Sequence, residues 1–246
     1  MDKKKCTAIL LAAGSGKRMQ SDVAKQFMLL NGKPLIWYAL HTIEESTIID
    51  DCILVIGAED ISYVQQEIVE RYDFHKVVAV VAGGAERYDS VYNALQFIRD
   101  ETGKTADCDG YVFIHDGARP FLTEEIIERS YLAVQESHAC VVGMPVKDTI
   151  KLADSDGYAA STPDRSMVWQ IQTPQVFDAG LIIEAYSRLM EQKDELAGKG
   201  IRITDDAMVV ETLLQRPVKL VQGSYENIKI TTPEDLCVAE AFLNRG

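Results

Sequence analysis

Glycines followed by cations, at the end of an apolar run, are the first residues in this chain that could do chemistry. The segment Ala12–Met19 reads AAGSGKRM, and Lys25 follows seven residues after Arg18. Glycines let backbone N–H groups approach phosphate oxygens closely, and Lys17 and Arg18 add positive charge at the same place. The segment therefore predicts a phosphate-binding loop, with a plain strand-to-helix turn as the alternative.

Two familiar nucleotide-binding patterns do not match this loop. A Walker A loop would need glycine at position 11 and serine or threonine at position 18, where the chain has Leu11 and Arg18. A dinucleotide fingerprint would need a third glycine at position 19, where the chain has Met19. The spacing thus argues against a P-loop enzyme and against a dehydrogenase.

Two more polar segments follow apolar runs. Gly83–Ser90 reads GGAERYDS, in which the glycines would admit a base or ribose and Ser90 would hydrogen-bond it; a helix cap is the alternative. His115–Pro120 reads HDGARP, in which Asp116 would contact a ribose or bind Mg²⁺. The alternative for Asp116 is an Asp–Gly turn held by a salt bridge, and His115 is expected to be structural.

Three cations later in the chain are candidates for holding a phosphate. Lys147 and Arg165 lie in a polar stretch, where solvated surface charges are the alternative. Lys229 lies in the strand-like segment Asn227–Thr231 (NIKIT), where a lysine would either reach a cleft or protect a sheet edge. Thr204–Ala207 (TDDA) is interpreted as a helix cap rather than a metal-binding pair.

Alternating strands and helices must position these residues, because apolar runs indicate buried strands and a 3.6-residue spacing indicates helices. Strands are predicted at Thr7–Ala12, Cys52–Ile56, Lys76–Ala82, Tyr111–Ile114, Ala139–Met144, Val218–Val221 and Asn227–Thr231. Helices are predicted at Pro34–Ile43, Ile61–Tyr72, Ser90–Ile98, Thr123–Gln135 and Leu181–Met190, with a last helix after Thr232. This order predicts an α/β, Rossmann-like, mainly parallel sheet with helices on both faces. Ligands bind beyond the carboxyl ends of the strands in such sheets, which is where the polar segments lie.

The stretch Met144–Thr173 interrupts this alternation, since it is rich in Thr, Ser, Asp and Pro and has no apolar helix face. Structureless loops of that length are uncommon in compact domains. We expect an extended β-arm at about residues 145–172, with a long surface loop as the alternative. We find no linker or repeat and expect a single domain over residues 1–246.

Composition narrows the class of protein further. A net charge of -13 and a pI near 4.8 argue against binding to nucleic acid or to membranes. The five cysteines never form a CxxC pair, which is typical of reduced thiols in the cytoplasm. The apolar run Ala8–Ala13 is too short for a secretion signal or a membrane span, so we expect a cytoplasmic protein.

The polar segments, taken in order, carry a family resemblance that no single segment carries. The first loop, with Lys25 and Gln26, resembles that of sugar-nucleotide-type pyrophosphorylases. The whole set resembles the 2-C-methyl-D-erythritol 4-phosphate cytidylyltransferase family of the non-mevalonate isoprenoid pathway, from about Thr7 to Leu243. The set comprises Ala12–Met19, Gly83–Val91, His115–Pro120, Pro145–Thr149, Gln172–Gln175 and Glu226–Thr231. One departure is Ala24, where the family usually has proline before the lysine.

The resemblance implies a reaction in which a phosphate oxygen of a polyol phosphate attacks the α-phosphorus of CTP and expels pyrophosphate. Arg18 and Lys25 would stabilise the transition state, while Arg165 and Lys229 would position the attacking phosphate. Mg²⁺, with Asp116 as a ligand, would bridge the triphosphate. The polyol would be contacted by Asp116, Thr149, Thr173, Arg165 and Lys229. The nucleotide would be framed by Ala12, Ala13, Gly14, Gly16, Gly84, Ser90 and Arg119.

The resemblance also implies a homodimer in which the arm crosses to the partner, so that Thr149 and Arg165 would complete the partner's site. Three alternatives remain at this stage. One is a ribitol-5-phosphate cytidylyltransferase, which shares the fold, the nucleotide and the reaction. The others are a nucleotide-binding protein without catalysis, which would have little need for four cations, and a dehydrogenase with a divergent loop.

Overall fold

The computed structural model describes residues 3–14, 24–102 and 109–244. Its strands are β1 (Lys5–Leu11), β2 (Leu29–Leu30), β3 (Lys33–Pro34), β4 (Asp51–Ile56), β5 (Val77–Ala82), β6 (Gly110–Asp116), β7 (Ala139–Pro145), β8 (Leu152–Ala153), β9 (Ala159–Ser161), β10 (Trp169–Asp178) and β11 (Lys219–Gln222). Its helices are α1 (Leu35–Glu45), α2 (Ile61–Val64), α3 (Arg87–Thr102), α4 (Glu124–Ser137), α5 (Ala179–Gly198), α6 (Asp206–Leu214) and α7 (Pro233–Leu243). The short helix α2 continues as a π-helical segment over Gln65–Glu70.

A seven-stranded sheet in the order β11-β7-β10-β6-β1-β4-β5 forms the centre of the fold. The strand β1 pairs in parallel with β4 on one side and with β6 on the other. The chain therefore reverses its direction of winding between β1 and β6, which is the switch point where α/β folds bind ligands. The predicted α/β class and mainly parallel sheet are confirmed.

One strand runs against the others. The strand β10 lies between β6 and β7 and is antiparallel to both. The sequence predicted no strand at this position, because glutamine, threonine and proline residues interrupt the apolar run that marks a buried strand.

Helices cover both faces of the sheet, as predicted. Along β1 the side chains alternate, so that Leu10 packs in one core cluster and Ile9 in the other. The first cluster takes Leu40 from α1, and the second takes Val91 from α3 and Ile182 from α5. Each such side chain, when fully buried, stabilises the fold by roughly 1.5–3 kcal/mol.

Between β7 and β10 the chain leaves the sheet. The strands β8 and β9 form a separate antiparallel pair, and residues 151–162 are all exposed. The chain rejoins the sheet earlier than expected, because Trp169 and Ile171 already pair with Pro145 and Gly143 of β7.

The predicted strand at Asn227–Thr231 was wrong. This segment has no regular secondary structure and lies outside the sheets described. Its backbone is held by single bonds instead, such as the one from Ile230 N–H to the Ala118 carbonyl at 2.8 Å. The start of α7 follows the prediction, since Thr232 and Asp235 form a capping box with proline at the first turn. No helix within the described residues is long and apolar enough to cross a membrane.

Candidate active site

The described parts of the three loops singled out in the sequence, which for the first loop are Ala12–Gly14, meet at the carboxyl ends of β1, β5 and β6. Backbone hydrogen bonds continue past the strand ends, from Gly83 N–H to the Ile56 carbonyl and from Gly117 N–H to the Leu11 carbonyl, both 2.8 Å. A cleft of about 390 Å³ opens between these loops. This is the edge of the sheet at which a parallel α/β fold places its ligand.

Glycine is required where the first two loops touch. A Cβ atom on Gly83 would lie 2.3 Å from the Cβ atom of Ala13, and one on Gly84 would lie 2.3 Å from that of Asp89. The Ser90 hydroxyl accepts a hydrogen bond from Gly84 N–H at 3.0 Å and donates to the Glu86 carbonyl at 3.3 Å. Ser90 therefore fixes the shape of this loop from its place in the first turns of α3.

Most of the residues predicted to frame a nucleotide line this cleft. They are Ala12, Ala13, Gly14, Gly84 and Ser90. Gly16 and the predicted catalytic Arg18 lie outside the described residues. Their roles therefore remain predictions from the sequence.

The cleft also contains charged residues predicted for chemistry. Lys25, Asp116 and Lys229 line it together, although they come from three distant parts of the chain. Lys25 lies in a 3-10 turn that begins directly after Ala24, so the missing proline does not prevent a turn there.

Asp116 is the electrostatic centre of the cleft. Its Oδ2 atom lies 2.8 Å from Lys229 Nζ and 3.7 Å from Arg119 Nε, and its Oδ1 atom lies 3.8 Å from Arg87 Nε. Burial alone would raise the pKa of this carboxyl, but Lys229, Arg87 and Arg119 outweigh that effect and lower its pKa well below the ordinary value. Asp116 is therefore ionised at pH 7.

Arg119, predicted to bind the nucleotide, is buried and does not line the cleft. Its guanidinium donates to the Asn227 carbonyl at 2.7 Å and faces Asp116. Burial lowers the pKa of Arg119 despite the neighbouring carboxylate. In this structure it supports the segment that carries Lys229.

Thr173, predicted to contact the polyol, is also buried, and its hydroxyl already has protein partners. It accepts from Asp116 N–H at 3.0 Å and pairs with His115 Nδ1 at 3.0 Å, while His115 Nε2 contacts the Arg119 carbonyl at 3.2 Å. Burial lowers the pKa of His115 to about 4, so this imidazole is neutral at pH 7. These bonds hold the backbone of Asp116 in place, and a direct contact between Thr173 and substrate remains a prediction.

The two arm residues are not brought to the cleft within one chain. Thr149 and Arg165 are exposed, and Arg165 donates to the Lys147 carbonyl at 3.0 Å. The ammonium of Lys147 lies 3.6 Å from the ring centroid of Tyr225, so it is engaged in a cation–π contact at the base of the arm.

Sequence reasoning gave no role to Arg87, which the structure places in the wall of the cleft. Its guanidinium donates to both carboxylate oxygens of Asp206, at 2.7 and 2.6 Å. Its position, in a glycine-rich loop at the end of a strand, could have marked Arg87 as a residue of the cleft. Its partner could not be identified, because it lies 119 residues further along the chain.

The described residues do not form a ready-made metal site. No group of three His, Cys, Asp or Glu side chains in them is arranged to hold a metal ion. Asp116, the predicted ligand, has both oxygens facing cations. The Asp205–Asp206 pair is used for helix capping and for the ion pair with Arg87, as the cap interpretation predicted for the first of them.

The Rossmann-like sheet, the glycine-lined cleft at its switch point and the lysines beside an ionised aspartate define a nucleotidyltransferase. The family model of IspD, 2-C-methyl-D-erythritol 4-phosphate cytidylyltransferase, matches residues 6–245. The chain belongs to this family.

Individual relatives agree with this assignment. A 2-C-methyl-D-erythritol 4-phosphate cytidylyltransferase of Lachnospira eligens is 52% identical over 96% of this chain and 98% of its own length. One of Lachnoclostridium phytofermentans is 50% identical over 98% of this chain and 97% of its own. The crystal structure of 4-diphosphocytidyl-2C-methyl-D-erythritol synthase from Anaerococcus prevotii superposes with a TM-score of 0.80 at 33% identity, covering 99% of this chain and 97% of that one.

Proposed function

We propose that the protein transfers a cytidylyl group from CTP to 2-C-methyl-D-erythritol 4-phosphate, giving 4-diphosphocytidyl-2-C-methyl-D-erythritol and pyrophosphate. The observation that carries the proposal is the cleft in which Lys25, Lys229 and Asp116 meet the glycine-rich loops at the switch point of the sheet. Family membership over nearly the whole chain supplies the nucleotide and the acceptor.

The proposed step is an in-line displacement at phosphorus. An oxygen of the acceptor phosphate forms a bond to the α-phosphorus of CTP, and the bond from that phosphorus to the bridging oxygen of pyrophosphate breaks. Two anions must approach each other, so positioning and neutralisation of charge dominate the rate. The chain carries a net charge of -13, and the cations that neutralise the substrates must therefore be concentrated in the cleft.

Lys25 is proposed to stabilise the negative charge that develops on the α-phosphate, together with Arg18. Lys229 is proposed to hold the attacking phosphate at the opposite side of the cleft, with Asp116 fixing its ammonium at 2.8 Å. Mg²⁺ is proposed to arrive with CTP as part of the substrate, since Mg²⁺ is usually bound through substrate phosphates and one or two carboxylates. A direct bond from Asp116 to this ion remains a proposal.

The arm is proposed to pair two copies of the chain. Exposed apolar side chains cluster along it, with Leu152, Tyr158 and Met167 exposed by 55%, 75% and 80%. Large apolar side chains exposed together mark an interaction surface. A twofold dimer would cover them and bring Thr149 and Arg165 to the partner's cleft.

A cytoplasmic location is proposed from the cysteines. Cys6, Cys52, Cys140 and Cys237 are free thiols, of which the first three are buried. Unpaired thiols of this kind persist in reducing compartments.

The test is pyrophosphate release from CTP and Mg²⁺, measured in parallel with 2-C-methyl-D-erythritol 4-phosphate and with ribitol 5-phosphate. We expect release with the first acceptor and background rates with the second. Release with ribitol 5-phosphate alone would retain the cleft chemistry and replace the acceptor. CTP binding without release with either acceptor would make the chain a non-catalytic nucleotide-binding protein.

A further inference from the structure

A buried ion pair reaches the cleft from the interior. Arg87 begins α3 and lines the cleft, while its partner Asp206 begins α6 and has no exposed surface. The two terminal nitrogens of Arg87 donate to the two oxygens of Asp206 at 2.7 and 2.6 Å. Two parallel charge-assisted bonds fix the plane of a guanidinium as well as its position.

The third nitrogen of Arg87 lies near Asp116, which also lines the cleft. Its Nε lies 3.8 Å from Oδ1 of Asp116. The guanidinium therefore stands between a carboxylate that is fully buried and one that belongs to the site. Burial opposes the charge on Arg87, but Asp206 and then Asp116 raise its pKa above the ordinary value, so the cation is permanent.

Asp206 is held by a second side chain, and the residues on either side of it are held by a third. The Tyr186 hydroxyl donates to its Oδ1 atom at 2.5 Å. Gln175 of β10 accepts from Ala207 N–H at 2.8 Å and donates to Asp205 at 3.0 Å, which anchors the start of α6 to the sheet. The carboxylate that orients Arg87 is thus fixed to the same strand, β10, that holds the backbone of Asp116 through Thr173.

We propose that Asp206 is a positioning residue for the reaction. Acting through Arg87, it fixes the loop Gly83–Arg87, on the nucleotide side of the cleft, relative to Asp116 and Lys229 on the acceptor side. An ion pair that served only the core would not need to bring Arg87 within 3.8 Å of the carboxylate of Asp116. The inference rests on the proposed function and deepens it, because it names what sets the distance between the two substrates.

The test compares a substitution of Asp206 with a substitution of Tyr186, which donates a hydrogen bond to the same carboxylate. Asp206→Asn keeps the size of the side chain but replaces one acceptor with an amide donor, which breaks the fork to Arg87. Tyr186→Phe removes the other hydrogen bond of Asp206 and leaves the fork intact. Both change the buried network, so folding is checked by circular dichroism and melting temperature. A third variant, Arg87→Lys, keeps the positive charge at the cleft but loses the two parallel hydrogen bonds to Asp206.

We expect kcat at saturating CTP and acceptor to fall at least tenfold in Asp206→Asn and in Arg87→Lys, and to stay within twofold of wild type in Tyr186→Phe. The inference is overturned if Asp206→Asn and Arg87→Lys keep kcat within twofold of wild type. It is also overturned if all three variants lose activity in proportion to the decrease in their melting temperatures. These outcomes require an active wild type. A wild type that releases no pyrophosphate overturns the proposed function, and the inference with it.

Discussion

The ammonium of Lys229 lies 2.8 Å from Oδ2 of Asp116, so the chain's late lysine is held by an aspartate at the end of a central strand. Lys229 is not part of a sheet, and this ion pair is what fixes its position at the cleft. The pairing joins the segment before α7 to the carboxyl end of β6.

Asp116→Asn should lower kcat and destabilise the fold, because three cations lose their shared counter-ion. Breaking a buried pair in this way should lower the free energy of unfolding by about 3 kcal/mol. Urea unfolding at pH 7 is the measurement. The folded-state pKa of Asp116 is depressed, so its contribution is present above the unfolded pKa and is lost as the pH falls below it. Wild type should therefore lose more stability than the variant between about pH 4 and pH 2.

The control for that substitution is Glu67→Gln, which removes a surface pair with Arg71 in which the two side chains are 47% and 64% exposed. Exposed pairs contribute about 1 kcal/mol or less. Equal losses in the two variants would contradict the central role given to Asp116.

His115→Gln should flatten the dependence of stability on pH in mildly acidic solution. The unfolded imidazole takes up a proton near pH 6.5, whereas the buried one resists protonation down to a pKa of about 4. Stability from the neutral imidazole is present above about pH 6.5 and is lost as the pH falls toward 4, by up to about 3 kcal/mol. Urea unfolding at pH 7.0, 5.5 and 4.5 measures this, and parallel curves for the two proteins would rule it out.

Lys25→Ala should reduce kcat by about 10²–10³, the usual cost of removing one group that stabilises transition-state charge. Pyrophosphate release under saturating substrates is the measurement. Lys33→Ala is the matched control, because Lys33 does not line the cleft. Its ammonium lies over the rings of Trp37 and Tyr72, at 5.1 and 4.7 Å from their centroids. Near-normal turnover of the Lys25 variant would show that its assigned role is wrong.

Ser90→Ala should weaken CTP binding more than it slows turnover. The substitution removes the acceptor for Gly84 N–H and frees the loop on the nucleotide side, so we expect KM for CTP to rise about tenfold, the cost of one hydrogen bond at 1.4 kcal/mol. Ser187→Ala in α5 is the control, since that hydroxyl makes the same type of bond to the carbonyl four residues before it. A fall in kcat with unchanged KM would contradict this role.

Met167→Glu should convert a dimer into monomers. The side chain is 80% exposed on the arm, and a charge there would have to be buried in the pairing surface. Light scattering gives the molecular mass in solution. If Arg165 serves the partner's cleft, the variant that is monomeric by mass should also lose activity. Val238→Glu on α7 is the control, with an apolar side chain that is 44% exposed away from the arm. A wild type that is monomeric at assay concentration would refute the pairing.

The sequence predicted most of the sheet because buried parallel strands are continuous apolar runs, as in Cys52–Ile56, which has no exposed residue. It also predicted that the loops after β1, β5 and β6 would meet, because parallel strands end at one edge. It failed at Asn227–Thr231, where alternating β-branched residues suggested a strand. That alternation reflects Ile228 and Ile230, which both pack in the small core cluster with Leu30 along a segment that pairs with none of the described strands.

Residues that act through distant partners were the least predictable. The family resemblance assigned Arg119 and Thr173 to the substrates, and those contacts remain predictions, but only the structure shows that both side chains have protein partners in the interior. Arg87 received no role because Asp206 is its neighbour only after folding. Burial and pairing of this kind follow from the tertiary structure and leave no local periodicity.

The position of β10 bears on how the molecule is built during synthesis. This strand enters between β6 and β7, which both precede it in the chain, so the first 168 residues leave an open slot in the middle of the sheet. Until the slot is filled, β6 and β7 present unpaired backbone edges, which are sites of wrong strand pairing. Because Thr173 and Gln175 are carried by the entering strand, the cleft gains its supports in the same event that closes the sheet. A ribosome-bound chain that ends before β10 would therefore have an open sheet and a cleft without its supporting residues.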